Sequence, residues 1–201
     1  MARHLSNRTR YTPRLTLRPF RRRDLEPMLD AVLPSLDELS TWMPWARQSY
    51  GRRDALLFLR DSLAAWAEGR AYDFSIRYQA QQDRHLGNVS VWYTSRQSRV
   101  GEIGYWVRTD EAGNGIATEA AAHMLDIAFN ELDMHRVTLR IASGNIGSER
   151  VAEKLGFERE GLLREELEVG GVWLDHSIWG LLDHEYRSRR ISYVEAGFLE
   201  A

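Results

Sequence analysis

The amino-acid sequence predicts an α+β domain built on a mainly antiparallel sheet with local βαβ character. Short runs that alternate apolar and polar residues are joined by brief polar connections, as in hairpins. Apolar stripes at helical spacing interrupt those runs. A third pattern is the stretch EAGNGIATEA at 111–120, where two glycines stand between a strand-like run and a helix-like one.

Along the chain, residues 14–20, RLTLRPF, alternate as a first strand. Asp24 stands where it would cap a helix carrying Leu25, Met28, Leu29 and Val32, which Pro34 interrupts. A second helical piece spans 35–42. Residues 53–68 form a longer helix with Ala55, Leu56, Leu59, Leu63 and Trp66 on one stripe. Strand-like runs follow at 71–78, 86–94 and 100–108, separated by QAQQDRH and SRQS. The glycine stretch opens a helix over 115–132, with Ala117, Ala121, Met124, Leu125, Ala128 and Leu132 on its apolar face. Residues 135–142 alternate again. Asn145 opens a further helix that stops at Gly156, a residue suited to a left-handed cap. Two last strands, 157–168 and 172–182, flank a Gly170-Gly171 turn. Residues 185–201 carry no clear periodicity, and neither an internal repeat nor a linker divides the chain.

Composition narrows the function classes. At 201 residues, 43% hydrophobic and 28% charged, the chain suits one domain with a packed core. It has no cysteine, which excludes disulfides, thiolate metal sites and a cysteine nucleophile. Its six histidines lack tight ligand spacing, so no metal is expected. No apolar run approaches the roughly 18 residues of a membrane helix, and the N-terminus lacks the apolar stretch of a secretory signal. A cytoplasmic protein is the expectation. The formal net charge of −2 gives no nucleic-acid signature. Residues 1–23 nevertheless hold Arg3, Arg8, Arg10, Arg14, Arg18, Arg21, Arg22 and Arg23 with no acid. This run reads first as a solvated arm and strand edge, and second as a contact for RNA or an acidic partner.

The glycine stretch has two readings. Gly113-x-Gly115 lacks the third glycine of a dinucleotide fingerprint, since Thr118 stands there, and Gly-Lys-Ser/Thr is absent. A simple turn is one reading. The other is an anion cradle: main-chain N–H groups of residues 113–118 converge at a helix N-terminus whose dipole favours negative charge.

Four motifs support the second reading: EIGYWV at 102–107, GNGIATEA at 113–120, HRVTLRI at 135–141 and NIGSERVAEKLGF at 145–157. Together they resemble the GNAT acetyltransferase superfamily. LSTWMPWA at 39–46 and WLDHSIWGLL at 173–182 are similar to its RimJ/RimL-type protein N-acetyltransferase branch. The resemblance spans residues 14–184, leaving 1–13 as a basic arm and 185–201 as a tail. It implies the GNAT fold, a mainly antiparallel central sheet flanked by helices, and transfer of acetyl from acetyl-CoA to a primary amine. The loop residues Gly113, Asn114, Gly115, Ile116, Ala117 and Thr118 then bind the CoA pyrophosphate. The family loop often opens with Arg or Gln, where this chain has Ala112, so one side-chain contact is missing. Trp106, Val107 and Arg108 offer main-chain groups to the pantetheine amides. Asn145 caps its helix and touches the pantetheine arm, and Ser148 protonates the departing thiolate. Trp42 and Trp45 border the acceptor cleft, which Tyr93 and Trp173, with Tyr72 and Trp92, are placed to line.

A protonated amine cannot attack a thioester, so a group must accept its proton. Glu102, beside the implied acetyl site, is the first candidate. It reads equally as a salt-bridged surface carboxylate. Glu165, Glu166, Glu168, Asp175 and His176 are the alternatives. The absence of cysteine agrees with direct attack in a ternary complex. The branch favours a peptide α-amine as acceptor. A small amine such as an amino sugar, antibiotic or polyamine is one alternative, and a non-catalytic acyl-CoA sensor is another. Exposed aromatics would permit a homodimer.

Overall fold

The structure, a computed structural model, describes residues 4–200. Arg3 of the basic run and Ala201 of the tail lie outside them.

The described residues form one eight-stranded sheet with helices packed on it. In chain order the strands are β1 (Arg10–Tyr11), β2 (Leu15–Pro19), β3 (Ala71–Tyr78), β4 (Gly87–Ser95), β5 (Val100–Val107), β6 (Arg136–Ala142), β7 (Glu158–Val169) and β8 (Val172–Leu182). Spatially they run β1-β2-β3-β4-β5-β6-β8-β7. Every neighbouring pair is antiparallel except β5 and β6, which are parallel. That exception follows from connectivity, because a helix, α4 (Ile116–Asp126), carries the chain from β5 back to the start of β6.

The parallel pair is short. β5 and β6 are in register only from Val100/Arg136 to Glu102/Thr138, then part company. Beyond Glu102 the sheet is split, and the split positions the site.

Alternation along β5 assigns side chains to two cores. Ile103, Tyr105 and Val107 pack on the larger core with α4, α5 (Ile146–Lys154) and α6 (Asp183–Glu195). Met124 and Leu125 of α4 are fully buried there, each worth about 1.5–3 kcal/mol relative to exposure. Trp106 faces the other way, onto a smaller core of Phe20, α1 (Leu25–Val32), α2 (Leu36–Leu39) and α3 (Arg52–Ala67).

Several expectations are corrected. Asp24 does not cap α1 with its side chain. Its carboxylate is buried and takes Arg18 at 2.6 and 3.1 Å, Arg77 at 3.1 Å and the Arg21 N–H at 2.7 Å. Burial alone would raise its pKa, but these donors and charges hold it below the ordinary value. Leu56, placed on the apolar stripe of α3, is 48% exposed. Helix α4 stops at Asp126 and continues as one widened turn, Ile127–Glu131, in which the Leu132 N–H reaches the Ile127 carbonyl at 2.9 Å.

The described N-terminal segment is a strand edge, as expected, but anchored and not a free arm. Leu5, Arg10 and Thr12 are buried, and β1 pairs with β2. Arg8 and Arg10 meet Glu131, while Arg14 meets Glu119. The tail that showed no periodicity is helix α6, anchored by buried Tyr186 and Tyr193. Its pattern is faint because these anchors stand seven residues apart and Ile191 between them is 71% exposed.

Candidate active site

The split between β5 and β6 leaves main-chain groups without a strand partner. The Arg108 N–H donates to the Leu86 carbonyl at 2.9 Å, which turns the main chain of Arg108, Trp106 and Gly104 toward β4. The intervening residues, Ile103, Tyr105 and Val107, therefore turn theirs into the gap. Of the three residues chosen from sequence, only Val107 offers main-chain groups there. Arg108 does not line the cleft, and its guanidinium pairs with Asp110 at 2.5 Å. Trp106 also lines it, while its ring packs on Trp45 and His85 on the other face. Tyr105 joins Val107, a contribution the sequence left unassigned because it does not reveal which edge of a strand is free.

The gap widens into a cleft of about 310 Å³ lined by Tyr105, Trp106 and Val107, the loop at 112–118 and one face of α5. The loop needs glycine for its backbone. Gly113 and Gly115 have φ of +81° and +78°, in the left-handed region. Gly115 is the N-cap of α4, so the free N–H groups of the first turn open beside the cleft. Gly113, Gly115, Ile116, Ala117 and Thr118 all line it. Asn114 does not: its side-chain amide donates to Glu111, itself a cleft residue, at 3.2 Å, and its carbonyl accepts from Arg14 at 3.1 Å. Buried Glu119 locks the same turn, accepting from the Thr12 hydroxyl at 2.5 Å, the Arg14 N–H at 2.8 Å and Arg14 Nε at 2.7 Å. The N-terminal segment thus braces the loop.

Helix α5 forms the opposite wall. Asn145 caps it, its Oδ1 accepting the Ser148 N–H at 3.1 Å. That leaves the amide Nδ2 for other partners. Ser148 lines both this cleft and the next. The Tyr105 hydroxyl donates to the Ser148 carbonyl at 3.4 Å, and burial pushes its pKa upward, so it remains a donor. Arg150 and Lys154 also line the cleft, and neither enters an ion pair among the described residues. Their spacing along an amphipathic helix was the signal available for them. The anion cradle and two unpaired cations suit a diphosphate, and the open β5 edge suits an amide-bearing arm.

A second cleft, about 340 Å³, adjoins the first through Trp42, Met43, Tyr105, Asn145 and Ser148. Glu102 lines it, its side chain only 13% exposed. Arg140 lies between two carboxylates, with Nε 3.1 Å from Glu102 and Nη1 2.6 Å from Glu166. Burial raises the Glu102 pKa, Arg140 opposes the rise, and Glu166 adds to it. The net direction is upward. Glu102 is thus both salt-bridged and in the cleft. Of the alternatives, Glu166 and His176 also line it, whereas Glu165, Glu168 and Asp175 do not. The His176 Nδ1 is 3.2 Å from the Leu174 carbonyl. A carbonyl only accepts, so that nitrogen carries the hydrogen and Nε2 holds the lone pair in the neutral ring.

The aromatic residues chosen from sequence divide. Trp42 lines both clefts, and Trp45 stands nearby against Trp106, ring centroids 5.8 Å apart. Tyr93 is on the wrong face: it pairs with Gly101, packs on the larger core and donates to the Leu132 carbonyl at 2.7 Å. Its neighbour Trp92, one residue out of phase, lines the cleft. Tyr72 is buried in the larger core. Trp173 is 58% exposed beside the β7–β8 turn and lines neither cleft.

Comparison with known proteins agrees with this architecture. Residues 14–158 match the acetyltransferase (GNAT) domain model. The putative ribosomal N-acetyltransferase YdaF of Bacillus subtilis is 28% identical over 177 residues, 88% of this chain and 95% of that protein. The probable N-acetyltransferase YjcK of the same organism is 39% identical over 113 residues, and that match spans 56% of this chain and 62% of YjcK. Among solved structures, Mycobacterium smegmatis RimJ in complex with CoA-disulfide superposes with a TM-score of 0.81 at 30% identity, covering 96% of this chain and 94% of that one. A cradle of glycine amides beside a split sheet, a carboxylate in the adjoining cleft and a family model matched over most of the chain converge on one conclusion: the chain belongs to the GNAT family of acetyl-CoA-dependent N-acetyltransferases.

Proposed function

We propose that the protein transfers acetyl from acetyl-CoA to the α-amino group of a protein or peptide, by direct attack in a ternary complex. The observation that carries this reading is the junction of the two clefts. A nucleotide-type anion cradle opens at Tyr105, Asn145 and Ser148 into a second space holding a desolvated carboxylate.

The N–H groups of Gly113 to Thr118 hold the diphosphate, and Arg150 and Lys154 neutralise its charge. Tyr105 and Val107 pair through their main chain with the pantetheine amides, and Asn145 offers its Nδ2 to the same arm. Acetyl-CoA supplies an activated carbonyl at the end of that arm. An α-amine has a pKa of about 7.7–8.0 and is partly protonated at neutral pH. Glu102 accepts its proton, directly or through water, while Arg140 keeps the carboxylate available. The amine nitrogen bonds to the carbonyl carbon, the C–S bond breaks, the Ser148 hydroxyl protonates the departing sulfur, and the surplus proton on the acylated nitrogen passes, directly or through water, to the Ser148 oxygen. Trp42 encloses the junction and excludes water.

A peptide acceptor is supported by the similar protein YdaF, a putative ribosomal N-acetyltransferase, and by a second cleft lined by Trp92 of β4, by β5 and by β6 that adjoins the first. A thiol-release assay over N-terminally free peptides, N-terminally blocked lysine peptides and small amines tests it. Turnover of free peptides is expected. Turnover confined to small amines would replace the acceptor class, and CoA binding without turnover of any acceptor would remove the enzymatic role.

A further inference from the structure

A third cavity, about 360 Å³, lies on the same face of the sheet as Glu102 but further along β5. Its walls form a connected series of rings. Phe58 meets Phe20 at 5.2 Å, Phe20 meets His85 at 5.7 Å, His85 meets Trp106 at 5.5 Å, Trp106 meets Trp45 at 5.8 Å, and Trp45 meets Tyr50 at 5.6 Å. Phe58, Trp106, Trp45 and Tyr50 face the cavity directly. Leu57 and Trp45, 39% and 37% exposed, stand at its rim.

Aromatic cages of this kind take either a cation or an apolar group. Here the charge is already spent. The one carboxylate in the wall, Asp54, is matched by Arg47 at 2.6 Å and the Gly51 N–H at 3.0 Å. His85, behind Trp106, is fully buried, and burial with the nearby Arg77 charge drives its pKa down to about 3, so the imidazole is neutral. The cage therefore offers apolar surface without net negative charge.

Register connects the cage to the reaction. Glu102, Gly104 and Trp106 are alternate residues of β5, so they share one face. Glu102 stands in the acceptor cleft and Trp106 forms the cage wall. Gly104 between them carries no side chain of its own, and the Trp92 indole lies over it, 3.1 Å from where a Cβ would stand, so a peptide joining the two spaces runs across the Trp92 ring. Four residues of strand place Trp106 about 13 Å from Glu102. The segment 42–45 runs alongside, with Trp42 on the acceptor cleft and Trp45 on the cage.

We infer that the cage is a specificity subsite for a peptide acceptor, receiving a large apolar side chain, best an aromatic one, about four residues downstream of the amine that is acetylated. This rests on the reaction proposed above and adds the sequence class of the substrate. An extended peptide advances about 3.3 Å per residue, so an amine at Glu102 brings the fourth or fifth side chain to Trp106.

The test is a positional scan. A single tryptophan is moved through positions two to seven of an otherwise Gly/Ser peptide with a free N-terminus, and KM and kcat are read by thiol release. The expected result is a KM minimum at position four or five, about tenfold or more below the tryptophan-free peptide, with kcat nearly constant. Leu57→Trp, which fills the cage, flattens the profile, and calorimetric CoA titration shows whether that variant is folded. Trp45→Ala, at the exposed rim, weakens the same minimum. A KM independent of tryptophan position, or a minimum that survives Leu57→Trp, overturns the subsite while leaving acetyl transfer intact. A trimethyl-lysine that outranks tryptophan at the same position overturns the apolar assignment. No thiol release from any peptide overturns the peptide reading itself, and this subsite with it.

Discussion

The two sides of the active centre are built differently. The side proposed to hold CoA draws mainly on two contiguous stretches, 112–118 and 145–154, plus one free strand edge, with Glu38, Leu39, Trp42 and Met43 closing it. Its chemistry is main-chain N–H groups, a helix cap and two cations. The acceptor side draws on residues 42–44, β4, β5, β6 and the β7–β8 hairpin, and its chemistry resides in side chains. A cradle of backbone amides tolerates changes of side chain as long as its φ angles survive. A cleft of side chains tolerates little, because each group is placed by a different element. The CoA side should therefore be sensitive to backbone conformation, and the acceptor side to single functional groups.

The largest effect should come from Glu102→Gln. Loss of a general base lowers kcat by about 10²–10⁴-fold, while calorimetry should find CoA affinity changed less than twofold. Parallel loss of CoA affinity would break the division between the two sides. Next is Gly115→Ala. A side chain at φ +78° costs about 1–2 kcal/mol, and the added Cβ would lie 3.3 Å from the Arg14 guanidinium. The dissociation constant for CoA should rise about 5–30-fold, with kcat at saturation little changed.

Arg140→Ala sharpens the electrostatic side of the comparison. Arg140 lowers the Glu102 pKa against burial, so its removal raises that pKa further. In the proposed mechanism activity needs ionised Glu102, so the acidic limb of the kcat/KM profile should move to higher pH. A limb that stays in place would assign the proton to another group, with His176 the next in the cleft. The smallest effect is expected for Lys154→Ala. An exposed cation is worth about 0.2–1 kcal/mol. CoA affinity should fall about two- to fivefold, and the loss should shrink at high salt.

Legibility in the sequence follows the same division. The strands and most helices were readable because burial of one face imposes a period of two or 3.6 along a single stretch. The cradle was readable because positive φ calls for glycine at Gly113 and Gly115, and Asn145 was readable because its cap acts three residues away. Helix α6 escaped, since two buried tyrosines seven residues apart leave little periodicity. Asp24 was misread for a related reason: its type suits a helix cap, but Arg77, from a distant strand, and Arg18 claim its oxygens.

By itself the chain sequence determined the order of elements, the glycine cradle and the cap of α5, because each is a local demand of the backbone on the residue occupying it. Tertiary structure alone decided that Trp92 and not Tyr93 faces the cleft, that Tyr105 and Val107 turn their amides into the gap, and that Arg140 stands between Glu102 and Glu166. Those outcomes depend on where β5 and β6 separate and which face of each strand is covered. Such facts arise from contacts between segments far apart in the chain, and no single stretch of residues encodes them.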